Sequence, residues 1–330
     1  MEKANIAIVG ATGMVGRTFL KVLDEMNFNI DKLYLFSSSK SAGTVVKFRN
    51  KEYIVEELNE NSFDKDIDIA LFSAGGDVSK KYAPIAKEKG VIVVDNSSAW
   101  RMDENIPLIV PEVNPQDINL QNGIIANPNC STIQCVVPLK VLHDEFKIKR
   151  IVYSTYQAVS GSGIGGIKDL ENGINGLKNK KYPHQIAYNC LPHIDSFLEN
   201  GYTKEEIKMI EETRKILGEK ELKITATTVR VPVVYGHSVS INVEFENEFE
   251  LSRVFELLKN APGIVVEDDI YNNMYPMSIN VEGKDEVYVG RIRRDFSVDN
   301  GINMWVVADN IRKGAATNTV QIAKLLMEIL

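Results

Sequence analysis

Cys130 stands where an apolar run gives way to a helix-like segment, in IIANPNCSTIQCVVPLKVL (124–142). A cysteine at a helix N-terminus meets backbone N–H groups without helical partners and the positive end of the helix dipole. Both favour thiolate over thiol and make the sulfur nucleophilic. The same N–H groups suit an oxyanion or a phosphate. The ordinary alternative is a buried structural cysteine. Cys135, inside the apolar helix, and Cys190, with no activating neighbour, keep that reading. A nucleophilic thiol calls for an acid–base partner. Of the four histidines, His143 lies two turns or more into the helix and points away from Cys130. His237 follows RVPVVYGHS, where a strand pattern breaks at Tyr235-Gly236 and then resumes. A histidine at such a break can face a cleft, and an ordinary strand-end histidine fits the same spacing. Cys190 and His193, in CLPH, look like half a metal site, but no second pair follows, so no metal is expected.

A second constellation is GATGMVG, with Gly10, Gly13 and Gly16 between a short apolar run and a helical pattern. Glycines at a strand-to-helix turn let the backbone approach a pyrophosphate, which then faces the helix N-terminus. The spacing is a variant of the common dinucleotide fingerprint. A site for NAD would place an acid about 20 residues on, at the end of the second strand. FSSSKSAG (36–43) stands there instead. Ser38 and Lys40 without an acid suit a 2′-phosphate and favour NADP; a solvated polar turn is the plainer reading.

The elements that must position these groups alternate. NIAIVG (5–10), KLYLF (32–36), IDIALFSAGG (67–76), VIVVDNSS (91–98) and GIIAN (123–127) read as strands. MVGRTFLKVLDEM (14–26) and VSKKYAPIAKEKG (78–90) read as helices between them. That alternation predicts βαβ units and a parallel sheet. After Cys130 the rhythm changes. KRIVYSTYQAV (149–159), LKITATTVRVPVV (222–234), HSVSINVEFE (237–246), VYVGRIRRDF (287–296) and INMWVVADN (302–310) read as strands of one sheet. SGSGIGG (160–166) is a Gly-rich stretch, TKEEIKMIEETRKILG (203–218) a capped helix, and GAATNTVQIAKLLMEIL (314–330) an amphipathic tail helix.

The length of 330 residues points to roughly two domains. With 44% hydrophobic and 25% charged residues the chain reads as soluble and globular, and no apolar run reaches the ~18 residues of a membrane span. No leader precedes the first strand, and three cysteines make no disulfide framework, so the cytoplasm is expected. A net charge of −7 argues against nucleic acid and requires a local cationic cluster for any anionic substrate.

Ten blocks, in order, carry a resemblance over nearly the whole chain: IVGATGMVG, ALFSAGG, VVDNSSAWR, PLIVPEVN, NPNCST, STYQAVSGSG, YTKEEIKMIEETRKIL, TVRVPVVYGHS, YPMSINVEGKDEVYVGRIRRD and MWVVADNIRKGAA. The chain resembles the aspartate-β-semialdehyde dehydrogenases, in the bacterial form with the shorter substrate domain. The resemblance implies an α/β fold: a Rossmann-like parallel-sheet domain at 1–128 with about 311–330, and an α+β catalytic and dimerisation domain with a large mixed sheet at 129–310. It implies reversible NADPH-dependent reductive dephosphorylation of aspartyl 4-phosphate through a Cys130 thioester, by a homodimer or a homotetramer.

By the same resemblance His237 is the general acid/base and Gln157 holds nucleophile and substrate in register. Arg230 pairs with the substrate α-carboxylate, and Glu205 binds its amino group. Arg101, Asn129 and Lys208 form the phosphate site. The dinucleotide lies on Gly10, Thr12, Gly13, Met14, Val15 and Gly16, with Ser38, Lys40 and Ser41 near its 2′-phosphate. Ser160, Gly161 and Asn310 are on the nicotinamide side. Spacing alone reads several of these as solvent-facing: Glu205 and Lys208 fit a surface i,i+3 ion pair, and Arg230 and Gln157 fit outward strand positions. There are two departures from the family pattern. Lys40 stands where Arg is frequent, and a lysine is a point charge rather than a fork. The segment 171–189 is also short.

Two related families fit less well. Glyceraldehyde-3-phosphate dehydrogenases would show Ser-Cys-Thr-Thr, and N-acetyl-γ-glutamyl-phosphate reductases Gly before the cysteine and an aromatic after it. Here the neighbours are Asn129 and Ser131. A non-catalytic NADP-binding paralogue would lose the nucleophile, the base or the substrate arginine, and this chain retains all three.

Overall fold

The computed structural model describes residues 2–330. The chain divides into two compact units, one of residues 2–129 with Ala315–Leu330 and one of Cys130–Gly314.

In the first unit β1 (Ala4–Val9), α1 (Met14–Glu25) and β2 (Ile30–Ser37) are followed by a hairpin of β3 (Val45–Phe48) and β4 (Lys51–Ile54). Then come β5 (Glu56–Glu57), β6 (Ile69–Phe72), α2 (Gly76–Glu88), β7 (Ile92–Asp95) and β8 (Ile124–Ala126). Six strands form one sheet in the order β5-β2-β1-β6-β7-β8, every pair parallel. β1, β6 and β7 are buried along their whole length, as expected of strands covered on both faces. β1 lies between β2 and β6, so the chain leaves it toward opposite sides of the sheet. The carboxyl end of β1 is therefore a topological switch point, where open α/β sheets bind ligands.

The second unit opens with α3 (Cys130–Phe146), whose residues are buried around most of the helix. β9 (Ile148–Gln157), α4 (Ile164–Ile174), α5 (Lys204–Leu217), β10 (Lys223–Arg230), β11 (His237–Phe245) and α6 (Leu251–Asn260) follow. β12 (Ile264–Val266), α7 (Ser278–Val281), β13 (Val287–Asp295) and β14 (Gly301–Ala308) complete it. Its sheet runs β10-β9-β11-β14-β13-β12 and is mixed. β10–β9 and β12–β13 are parallel, and the pairs between them antiparallel. α3 packs on β9, β11, β13 and β14.

A π-turn (Arg312–Ala316) leads into α8 (Thr317–Ile329), which returns to the first unit. There Val320, Ile322, Ala323 and Leu326 join the core of Ile6, Ile8, Phe19, Leu23, Leu35 and Leu71.

Two sequence readings change in detail. The Gly-rich stretch 160–166, given no element above, is a short 3₁₀ turn (Val159–Ser162) running into α4. Gly166 is required there, because a Cβ would lie 2.3 Å from the Val159 carbonyl oxygen. The tail helix begins at Thr317, after the π-turn.

Candidate active site

The phosphate loop follows β1. The N–H groups of Gly10 and Ala11 both donate to the Phe36 carbonyl, at 2.9 and 3.1 Å, which pins the turn to the end of β2. Gly10 has φ +89°, and a Cβ there would lie 2.3 Å from the Ser73 carbonyl oxygen. A Cβ on Gly16 would lie 2.2 Å from the Gly10 oxygen. No other residue fits either position, and Gly13 precedes the first turn of α1. The Thr12 and Ser37 hydroxyls are 2.8 Å apart. Ser38 and Lys40 are exposed just beyond β2, Ser41 is half-buried, and no acid lies among them. This backbone cradle fits a dinucleotide pyrophosphate.

Arg101 is buried in the same unit. It donates through Nε to the Asn127 carbonyl and through Nη2 to the Asn96 carbonyl, both at 2.9 Å. Asn127 in turn donates to Asn96 Oδ1 and accepts from Asn318 Nδ2, each at 2.7 Å. Two main-chain oxygens thus help to hold the guanidinium in place. Asn129 is also buried.

In the second unit the sheet collects the other side chains. Gln157 ends β9, Arg230 ends β10 and is its register partner, and His237 begins the neighbouring β11. All three are buried, so the outward reading of Gln157 and Arg230 does not hold. Glu205 lies in the first turn of α5. Its Oε1 accepts from Gln157 Nε2 at 3.4 Å, and its Oε2 from Lys208 Nζ at 3.3 Å. Lys208 also donates to Asp195 at 2.6 Å. Glu205 is buried and joined to Gln157, so it is more than half of a surface ion pair. The helix is fixed by a Thr203–Glu206 capping box, and Glu206 Oε1 accepts from the Thr228 N–H on β10 at 3.0 Å.

Arg230 Nη1 donates to the Ala158 carbonyl at 2.6 Å, and its Nε is buried without a partner among the described residues. The His237 Nδ1 accepts from the Ala158 N–H at 3.0 Å; its Nε2 is buried without a partner among the described residues. Burial, and then the Arg230 charge, hold the imidazole well below the ordinary histidine range. Gly161 lies against both groups: a Cβ there would be 2.9 Å from Arg230 Nη1 and 3.1 Å from His237 Nε2. Asn310 donates to the Ser160 hydroxyl at 3.0 Å and accepts from the Gly236 N–H at 3.0 Å. Ser160 and Asn310 therefore hold the turn on which Gly161 sits.

Cys130 begins α3, and Gly314 of the π-turn is pressed on it: a Cβ at 314 would be 2.7 Å from Cys130 Cβ. The remaining cysteines contrast with it. Burial raises the Cys135 thiol well above its ordinary range, and Cys190 is exposed. His143 accepts from the Ile148 N–H and faces Glu219, away from the site.

One residue escapes the sequence reading. Gln134, one turn after Cys130, is wholly buried and donates to the His237 carbonyl at 3.1 Å and the Val306 carbonyl at 3.3 Å. It ties the helix that begins at Cys130 to the backbone of His237. Its signal is an amide inside an otherwise apolar helical run.

Two family models cover most of the chain: the NAD binding domain of semialdehyde dehydrogenase over residues 5–121, and its dimerisation domain over 139–313. The chain is 60% identical to the aspartate-semialdehyde dehydrogenase of Aquifex aeolicus, over 98% of both chains. The chain belongs to the aspartate-semialdehyde dehydrogenase family. Membership makes it a nicotinamide-dependent dehydrogenase that carries the family's dimerisation module. Among solved structures it is similar to aspartate-semialdehyde dehydrogenase II of Vibrio cholerae complexed with ASA, at TM-score 0.95 and 46% identity over 99% of each chain. It is also similar to the enzyme of Candida albicans with NADP, at TM-score 0.78 and 27% identity over 98% of each chain.

Proposed function

We propose that the chain converts L-aspartyl 4-phosphate to L-aspartate 4-semialdehyde, reversibly, using NADPH and a thioester on Cys130. The observation that carries this is the convergence of Gln157, Arg230 and His237 at one end of β9, β10 and β11, with α3 fixed there through Gln134. The Cys130 thiolate attacks the acyl carbon, and phosphate leaves against Arg101, Asn129 and Lys208. Arg230 binds the α-carboxylate, Glu205 the ammonium, and Gln157 keeps substrate and sulfur in register. His237 is the general acid/base and manages the proton as the tetrahedral intermediate forms and collapses. A bound nicotinamide supplies the hydride in this direction and accepts it in the other. Ser160, Gly161 and Asn310 form the wall on the nicotinamide side. Ser38 and Lys40, without a nearby acid, support NADP over NAD, and the product would enter lysine, threonine and methionine synthesis in the cytoplasm.

The test is to mix protein, aspartate semialdehyde and NADP, with and without phosphate, and follow reduced cofactor by absorbance. A phosphate-dependent signal is expected, and its absence refutes the reading. Cys130→Ala should lose turnover at least ~10³-fold while NADP still binds.

A further inference from the structure

The stretch 175–203 runs from α4 to α5 as irregular backbone. Connections of that length are uncommon in compact units and usually carry function. Its first part rests on a small apolar cluster. Ile186, Ala187 and Leu191 are buried with Val159 and Leu170, and Tyr182 packs against them. Burial of so few side chains gives weak local stability, and the residues before Tyr182 are exposed. A polar anchor is needed there. Asp169, in the middle of α4 and buried, supplies it. Its carboxylate accepts three successive main-chain N–H groups: Lys180 on Oδ1 at 2.8 Å, and Lys181 and Tyr182 on Oδ2 at 2.6 and 2.8 Å. Hydrogen bonds to a charged acceptor are stronger than neutral ones, and three on one carboxylate fix the backbone of 180–182 closely.

The anchored segment meets the site at both ends. At one end the Tyr182 hydroxyl donates to the Val159 carbonyl at 3.4 Å. Gly166 leaves the room for that approach, since a Cβ there would lie 2.6 Å from the hydroxyl. Val159 opens the 3₁₀ turn (Val159–Ser162), and Gly161 of that turn lies against Arg230 and His237. At the other end Leu191 and Arg230 exchange main-chain hydrogen bonds at 2.9 and 2.8 Å. The residues from Lys180 to Leu191 thus join the Gly161 turn to the end of β10, and Asp169 holds them on α4.

We propose that Asp169 is a positioning residue for the site: by gripping the main chain of 180–182 it sets where the Val159–Ser162 turn stands against Arg230 and His237. The proposal rests on the reading of Arg230 and His237 as groups that serve the substrate. Asp169 acts on them through Tyr182, Val159 and Gly161, one packed or hydrogen-bonded neighbour after another. Misplacing a reacting constellation by about 1 Å can cost ~10²-fold in rate, so a loose turn registers in catalysis well before the fold is lost. Asp169→Asn keeps the size of the side chain and removes its charge. It also turns an NH₂ group toward at least one of the three N–H donors.

Kinetics and amide hydrogen exchange on the full-length protein test this together. In Asp169→Asn, exchange should quicken at 180–182 and at 159–163 while β9 and β11 keep their protection. The same variant should lose ~10-fold or more in kcat/KM for aspartate semialdehyde, with NADP affinity by fluorescence titration within about twofold. Tyr182→Phe keeps the ring in the cluster and removes one hydroxyl, so it folds even if Asp169→Asn does not. It should quicken exchange at 159–163 alone and lose about threefold in kcat/KM. Quickened exchange at 180–182 with kcat/KM unchanged overturns the proposal, and so does a kinetic loss that comes only with lost protection in β9 and β11. If Asp169→Asn does not fold, an unchanged kcat/KM in Tyr182→Phe overturns it. A parent protein without phosphate-dependent activity would instead refute the function proposed above, and the exchange pattern would still report whether Asp169 holds the turn.

Discussion

At the scale of single residues the site depends on absent side chains as much as on present ones. Gly161→Ala would push a methyl group into Arg230 Nη1 and the His237 ring. It is expected to cut kcat/KM by about 10²-fold, with little change in melting temperature, as steady-state kinetics beside calorimetry would show. The depressed imidazole makes a pH prediction with a definite sign. His237 stays neutral in the fold, while the unfolded chain takes up a proton below pH ~6.5. The unfolded state then binds more protons, so stability falls as the pH drops below ~6.5, by at most ~1.4 kcal/mol per unit for this group. His143 is shifted in the same direction, chiefly by burial, and adds to the slope. Urea midpoints of His237→Gln at pH 7.5 and 5.5 should differ less than those of the parent.

At the scale of elements, each functional side chain sits at an end: the start of α3, the last residues of β9 and β10, the first of β11, the first turn of α5. Ends are where caps matter. Thr203→Ala breaks the capping box of α5, and denaturant unfolding should show a loss of about 1 kcal/mol. Because Glu205 lies two residues on, KM for aspartate semialdehyde should rise several-fold. Gln134→Met removes both donors that hold α3 to β11 and β14. It is expected to lower kcat ~10-fold or more, with NADP affinity within about twofold, by kinetics and fluorescence titration. What the sequence made legible follows the same logic. The helix start at Cys130, the Gly10 turn and the Thr203 cap are local signals, and each lies where its pattern predicts. α4 was hidden because Gly165 and Gly166 weaken helix propensity, and Gly166 is demanded by a non-local contact with Val159. The burial of Arg230 and Gln157 was not legible either, since alternation along a strand cannot tell which face a sheet will cover.

At the scale of the whole molecule, the mixed sheet offers an open cleft of about 920 Å³ whose lining includes Tyr156, Met304 and Trp305, with Tyr156 and Trp305 in ring contact at 5.3 Å. The unit matches a dimerisation domain, which makes this cleft a candidate face for a second copy. Trp305→Glu should shift the protein toward monomer in sedimentation velocity. An unchanged dimer would move the pairing surface elsewhere.

The return of α8 to the first unit fixes an order of events at the ribosome. The core of that unit includes Val320, Ile322, Ala323 and Leu326, which follow Cys130–Gly314 in the chain. The dinucleotide half is encoded first and yet must wait, its central sheet lacking one wall, while all of Cys130–Gly314 emerges and can fold ahead of it. The nascent chain thus carries an exposed apolar sheet for most of its translation. Removing α8 from Thr317 onward would spare Cys130, Gln157, Arg230 and His237, yet strip one cover from the sheet that carries the Gly10 loop.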